Sequence, residues 1–314
     1  MPRQSRRDFL KHSATGVGAA LAATALPALD KAVAADKSVP WKYSMCNETF
    51  EDWPQGRIFR FLAECGYQAV EIAPFTINTD VTEIPARQRT RLRKQAEQAG
   101  IEICGLHWLL SKTEGLHLTS PDADVRKRTT EYLGELARFC AELGGTKMIF
   151  GSPKQRNLLP GVSYEQGTQH AVEVLRGAMP VLEKTGVVLG LEPLGPKETN
   201  FIVNSADAVA LAKLVDSPHC KMMLDCKAMV QEPTPIPELI RKHAAWMVHF
   251  HANDPNLRGP GMGDLDFLPI FKALQDVKFS GWVSVEVFDY TPGPERLARE
   301  SFEYMKKIEG KLVG

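Results

Sequence analysis

The chain has no excess of positive charge, no Cys-x-x-Cys pair and, beyond about residue 35, no apolar run long enough to span a bilayer. Each absence excludes something. Lys and Arg number 38 against 38 Asp and Glu, so the positive field that drives binding to phosphate backbones is missing and nucleic acid is not expected as a partner. A membrane span needs roughly 20 consecutive apolar residues, so no membrane association is expected of the chain past its N-terminus. The cysteines (Cys46, Cys65, Cys104, Cys140, Cys220 and Cys226) are too scattered for a zinc ribbon or a redox pair. Several fall inside predicted strands or helices, where buried free thiols are the expectation.

What is present begins with a targeting signal. "SRRDFLK" (Ser5 to Lys11) fits the twin-arginine pattern, an Ala/Gly/Leu-rich run follows from about Ala14 to Leu29, and "AVAA" (Ala32 to Ala35) is a small-residue cleavage site. An N-terminal membrane anchor is the alternative, but the run is short for a span. Residues 1–34 are therefore read as a twin-arginine signal peptide, and 35–314 as the mature domain, exported to the periplasm or another extracytoplasmic space. The signal carries Arg3, Arg6, Arg7, Lys11 and Lys31 against Asp8 and Asp30, so the remainder holds 33 basic and 36 acidic residues, a formal net of −3. Export permits a disulfide, but the spacing assigns none.

The mature part alternates short apolar runs with longer amphipathic ones. Strands are predicted at 41–46, 68–75, 101–108, 147–152, 187–192, 220–225, 245–251 and 281–288. Helices are predicted at 55–66, 86–100, 124–145, about 164–185, about 205–215, 235–243, 266–277 and about 294–310. The strands are apolar on both faces, as a covered parallel sheet requires. Eight strand–helix pairs in about 280 residues predict a (β/α)8 TIM barrel, a single α/β domain. A doubly wound open sheet is the alternative.

Four side chains at the ends of successive strands carry the chemistry: Glu192 in "VVLGLEP", Asp225 in "KMMLD", His251 in "WMVHFH" and Glu286 in "GWVSVEV". A carboxylate inside such apolar sequence costs too much to bury unpaired. Taken singly, Asp225 could cap the next segment, His251 or His249 could be a core histidine, and Glu192 could meet a loop cation. Taken together they form a hard, mostly oxygen donor set at the C-terminal mouth of the barrel. That set suits Mn²⁺, Mg²⁺ or Co²⁺ better than a structural zinc site. Further mouth candidates are His107 beside Trp108, Glu71, and the loop "FGSPKQRN" with Ser152, Lys154 and Arg156. Arg156 would recognise a planar anion or several sugar hydroxyls. Trp108, Phe75 and Trp53 offer faces for a sugar ring.

On these residues the chain resembles the xylose isomerase-like TIM-barrel superfamily (sugar phosphate isomerases/epimerases), and within it the ketose 3-epimerases of the D-tagatose type. The resemblance covers roughly residues 41–310 and is strongest from Val187 onward. It implies one divalent ion, Mn²⁺ before Mg²⁺, Co²⁺ or Zn²⁺, held by Glu192, Asp225, His251 and Glu286. It also implies a substrate-contacting carboxylate six residues after the first ligand, here Glu198. The strand-seven motif reads "HANDPNLRGPGMG", with His251, Asp254, Arg258, Gly261 and Gly263; the spacing to Arg258 is one residue longer than in the epimerases. Three residues after the metal Asp the epimerases carry a His; here Ala228 stands there with Lys227 beside it. Lys227 is the candidate replacement, able to bind a hydroxyl, a carbonyl or a carboxylate.

The implied chemistry is proton transfer beside a carbonyl through an enediolate stabilised by the ion, with Glu192 and Glu286 as the acid–base pair. A small sugar or keto-sugar is the expected partner, and the reading allows a homo-oligomer. Returning the proton to the opposite face gives an epimerase, and to the neighbouring carbon an isomerase. Expelling a β-substituent gives a lyase or dehydratase of a 3-keto-glycoside or inosose, the main alternative. A non-catalytic sugar-binding barrel and an endonuclease-IV-like enzyme are further readings. The first is opposed by the intact carboxylates, the second by the negative charge and the export signal.

Overall fold

The short apolar runs become eight parallel strands that pair in chain order: β1 (Lys42–Cys46), β2 (Ala69–Ile72), β3 (Glu102–Leu106), β4 (Lys147–Phe150), β5 (Val188–Leu191), β6 (Cys220–Asp225), β7 (Met247–Ala252) and β8 (Trp282–Val285). β8 pairs back onto β1, with Met45 opposite Val285. That closure decides for the barrel over the open sheet. The computed structural model describes residues 39–313, and the signal read over 1–34 lies outside the described residues.

The amphipathic runs become the outer helices: α1 (Gln55–Cys65), α2 (Ala86–Ala99), α3 (Ala123–Leu143), α4 (Tyr164–Thr185), α5 (Ser205–Val215), α6 (Cys226–Met229), α7 (Ile236–His243), α8 (Phe267–Asp276) and α9 (Pro294–Val313). Helix ends follow local chemistry. The Asp122, Asn204 and Asp266 side chains accept backbone N–H groups at the starts of α3, α5 and α8, and Ser163 and Gln166 form a reciprocal capping box at α4. Gly144 closes α3 at φ 92°, a left-handed conformation that favours glycine. The long helices bury one stripe and leave the rest to solvent; α2, rich in Arg and Gln, buries only Leu92 and Ala96.

One α-helix was not expected from the sequence. α6 starts directly after β6, because Asp225 serves as its N-cap and accepts the Ala228 N–H at 2.8 Å. That turn aims Lys227 back toward the mouth. The bore also departs from an all-aliphatic filling, since Ser44, Glu71, His249 and Ser284 are all fully buried within the strands. Register brings the candidate ligands together: Asp225 stands opposite His251, and His251 opposite Ser284, so Glu286 projects two residues further toward the mouth.

Candidate metal centre

Each expected ligand sits at a C-terminal strand end. Asp225 and His251 are the last and penultimate residues of β6 and β7, while Glu192 and Glu286 directly follow β5 and β8. All four are buried. One ligand atom from each lies within 4.8 Å of every other. From His251 Nδ1 the distances are 2.9 Å to Glu286 Oε2, 3.7 Å to Glu192 Oε1 and 3.9 Å to Asp225 Oδ2. Donor atoms about 2.1 Å from one ion would stand about 3.0–3.6 Å apart at angles of about 90–120°, and about 4.2 Å apart on opposite sides of it. Three oxygen donors and one imidazole at these spacings fit a hard divalent cation.

The groups behind the ligands fix their orientation. Glu71, from β2, faces His251 Nε2 at 3.3 Å and accepts from His249 Nε2–H at 2.9 Å. Burial alone would raise the Glu71 pKa, but the two imidazoles outweigh it and hold it well below the carboxylate range. Burial lowers the His249 pKa, against the pull of Glu71 beside it. Burial opposes charging His251, but Glu286 and Glu71 raise its pKa well above the imidazole range. With Nε2–H held by the ionised Glu71, Nδ1 is the nitrogen that would give up its proton to hold an ion among the other three ligands. On the far side, Asp225 Oδ2 accepts from Asn253 Nδ2, and Asn253 Oδ1 accepts the Lys227 N–H at 2.8 Å.

The two glutamates differ in their proton affinity. Burial and the neighbouring Glu286 push Glu192 up to about 7. Burial acts on Glu286 in the same sense, but His251 and His107 beside it pull its pKa well below the usual range. Two carboxylates of unequal basicity therefore face one space, the pattern of an acid–base pair.

That space is a mouth pocket bordered by Trp108, Ser152, Glu192, Glu198, Lys227, Glu286 and Phe288. Lys227 Nζ donates to Glu198 Oε1 at 2.7 Å and lies 3.9 Å from the Phe288 ring centre. Burial opposes its charge, but Asp225 and Glu198 more than offset that and raise its pKa. Trp108 and Ser152 hold φ of 52° and 40°, and such strain in non-glycine residues concentrates at functional sites. The Ser152 hydroxyl accepts the Leu110 N–H at 3.1 Å, tying the two mouth loops together. A larger open groove of about 950 Å³ lies on the outer surface beside Arg89, Lys112 and Arg128, and includes none of the ligand set.

Three expected substrate contacts are placed otherwise. Arg156 is fully buried, and its guanidinium donates to the carbonyls of Phe150, Glu192 and Ile202. It clamps the loops after β4 and β5 instead of meeting a ligand. Arg258 donates to Asp289 Oδ2 at 2.8 Å and is absent from the pocket lining. His107 lies one residue past β3, wedged between Glu48 Oε2 at 2.9 Å and Glu286 Oε1 at 3.3 Å. Burial opposes charging its ring, but the flanking carboxylates raise it to about 10. Sequence reasoning missed Glu48 and Asn253. Glu48 stands two residues past the end of β1, a strand-end signal of the same kind as the four that were read.

The chain belongs to the xylose isomerase-like TIM barrel family, whose model matches residues 59–308. It is 29% identical over 234 residues to the D-psicose 3-epimerase of Ruminiclostridium cellulolyticum, covering 72% of this chain and 76% of that one. Among solved structures it resembles D-psicose 3-epimerase with D-tagatose from Clostridium cellulolyticum, with TM-score 0.75, 22% identity, and 85% and 99% of the two chains covered. It also resembles the 3-keto-D-glucoside 4-epimerase of E. coli, with TM-score 0.74, 20% identity, and 85% and 99% covered.

Proposed function

We propose that this member of the xylose isomerase-like TIM barrel family is a divalent-metal-dependent sugar epimerase or isomerase that moves a proton at a carbon beside a carbonyl. The observation that carries the reading is the convergence in one buried mouth of Glu192, Asp225, His251 and Glu286 within 4.8 Å of one another, a donor set that includes two glutamates facing the same space. Kinship with the D-psicose 3-epimerase supports a ketose as substrate.

A bound divalent ion, with Mn²⁺ the first choice for this oxygen-rich set, supplies positive charge that polarises a substrate carbonyl. The protein's own groups supply the rest. One of Glu192 and Glu286 takes the carbon-bound proton and the other returns one to the opposite face. Glu198 and Lys227 offer an acceptor and a donor 2.7 Å apart, matched to neighbouring hydroxyls of a neutral sugar. Trp108 and Phe288 cover the apolar face of the ring and exclude water. Lys227 stands in for the imidazole that the D-tagatose-type enzymes carry one residue later. The chain's choice among ketoses therefore rests on this pair.

The test is product analysis. The Mn²⁺-loaded protein, supplied with a panel of ketohexoses and 3-keto-glycosides, is expected to yield C3 or C4 epimers with the carbon skeleton intact. Net release of water or an aglycone would replace this reading with the lyase.

The twin-arginine segment leads us to propose export of the folded, metal-loaded protein. Changing both Arg6 and Arg7 to Lys is expected to hold the chain in the cytoplasm. Unchanged export of that variant would contradict the proposal.

A further inference from the structure

The loop that follows β8 covers the mouth with little to hold it there. It runs from Phe288 to Gly293 and turns into α9 at Pro294. The Phe288 ring borders the pocket, 6.2 Å from the Trp108 ring centre and 3.9 Å from Lys227 Nζ. Tyr290 and Thr291 beyond it are exposed. A segment with so few buried contacts opens easily unless something fastens it. Among the described residues, one side-chain bond ties it to another element: Arg258 Nε donates to Asp289 Oδ2 at 2.8 Å. The other oxygen, Oδ1, accepts the Thr291 N–H at 3.0 Å.

The loop that carries Arg258, between β7 and α8, is the fixed side. The Asp254 N–H donates to the Arg258 carbonyl at 2.8 Å, and the Leu257 N–H to the Asp254 carbonyl at 2.9 Å, closing a turn. Leu257 stands at φ 72°, a conformation that costs a leucine free energy and persists where its surroundings impose it. Its carbonyl accepts both the Phe288 and the Asp289 N–H, at 2.8 and 2.9 Å. Gly259 and Gly261 seat the same loop on α9. A Cβ at Gly259 would meet the Ser301 hydroxyl, and one at Gly261 the Tyr304 ring. The side chain of Arg258 and the carbonyl of its neighbour therefore grip the covering loop from one rigid turn.

We propose that Arg258 is a positioning residue that latches the β8 loop over the mouth, acting through Asp289 to hold the Phe288 ring beside Lys227 without touching the substrate. The inference rests on the sugar-epimerase reading only for what lies beneath the ring. A covered mouth excludes water and keeps the ring on the apolar face of a sugar. Loosening the cover weakens binding of the ground state and the transition state alike, which raises KM and leaves kcat.

Two readouts on the Mn²⁺-loaded protein test the latch. Amide hydrogen exchange over residues 287–292, without sugar, is expected to quicken by about two- to fivefold in both Arg258→Met and Asp289→Asn, as the loss of one partly exposed ion pair allows. With a ketose, each variant is expected to raise KM by a similar factor at nearly unchanged kcat, and the double variant to be no worse than either single. In a Phe288→Ala background, Arg258→Met is expected to add nothing, because the ring it holds is gone. Exchange at the wild-type rate in both variants would overturn the latch. So would a KM defect of Arg258→Met that persists in Phe288→Ala while Asp289→Asn behaves as wild type, since Arg258 would then meet the sugar itself. Failure of the wild type to turn over any ketose would sink the sugar reading, and amide exchange would still decide the latch.

Discussion

Glu192 is the residue whose behaviour reports on the whole site. In the ion-free protein, burial and Glu286 hold its pKa near about 7. Below that pH a metal ion must displace a proton from Glu192; above it the carboxylate is already ionised. Apparent affinity for Mn²⁺ is therefore expected to rise steeply as pH climbs toward 7 and to go on rising, less steeply, above it, because His251 must also give up a proton: burial opposes its charge, but Glu286 and Glu71 hold its pKa well above the imidazole range. Calorimetric titration across that range checks it, and an affinity indifferent to pH below 7 would contradict it. Arg156 makes a different prediction. Its guanidinium serves three backbone carbonyls, so Arg156→Met leaves buried acceptors unpaired. The expected loss is about 2–4 kcal/mol of stability, read by denaturant unfolding, with little change in substrate preference. A variant of wild-type stability that had lost only sugar binding would restore the mouth role expected from the sequence. The loop "FGSPKQRN" read as a mouth loop with Arg156 facing a ligand; nothing local in the sequence shows that three carbonyls converge behind it.

At the scale of elements, the strand ends were the legible part. Periodicity and apolar runs located every strand and outer helix to within a few residues, and the four ligands fell at strand ends because a parallel barrel sends all such ends to one mouth. What lay hidden depends on contacts across the barrel. α6 exists because Asp225 caps it, and a four-residue helix has no periodicity to read. The roles of Glu71 and Glu48 depend on which imidazoles the closed sheet brings to them. Gly151, just past β4, is a comparable case. A Cβ there would run into the Glu192 carboxylate. Gly151→Ala is therefore expected to weaken metal binding by about 10–100-fold, as changes to a ligand's supporting groups do, while the far-ultraviolet circular dichroism stays the same. Wild-type metal affinity in that variant would mean that Glu192 is not held where the structure has it.

For the molecule as a whole, closure of the sheet is what makes the chemistry possible. It places residues far apart in sequence, from Glu48 to Glu286, around one buried mouth, and leaves the amphipathic helices on the outside of the barrel. The central claim is that this mouth transfers a proton at a carbon of a sugar without breaking its skeleton. Proton NMR of a ketose turned over by the metal-loaded protein in D2O tests that most directly, with Glu286→Gln as the control. The account predicts deuterium at the carbon beside the carbonyl in both epimers, and a loss of about 10²–10⁴ in rate for the variant. Epimers formed without deuterium would require a proton shielded from solvent throughout turnover, which the Glu192 and Glu286 pair does not provide. Deuterium incorporation at the wild-type rate in Glu286→Gln would contradict the account outright.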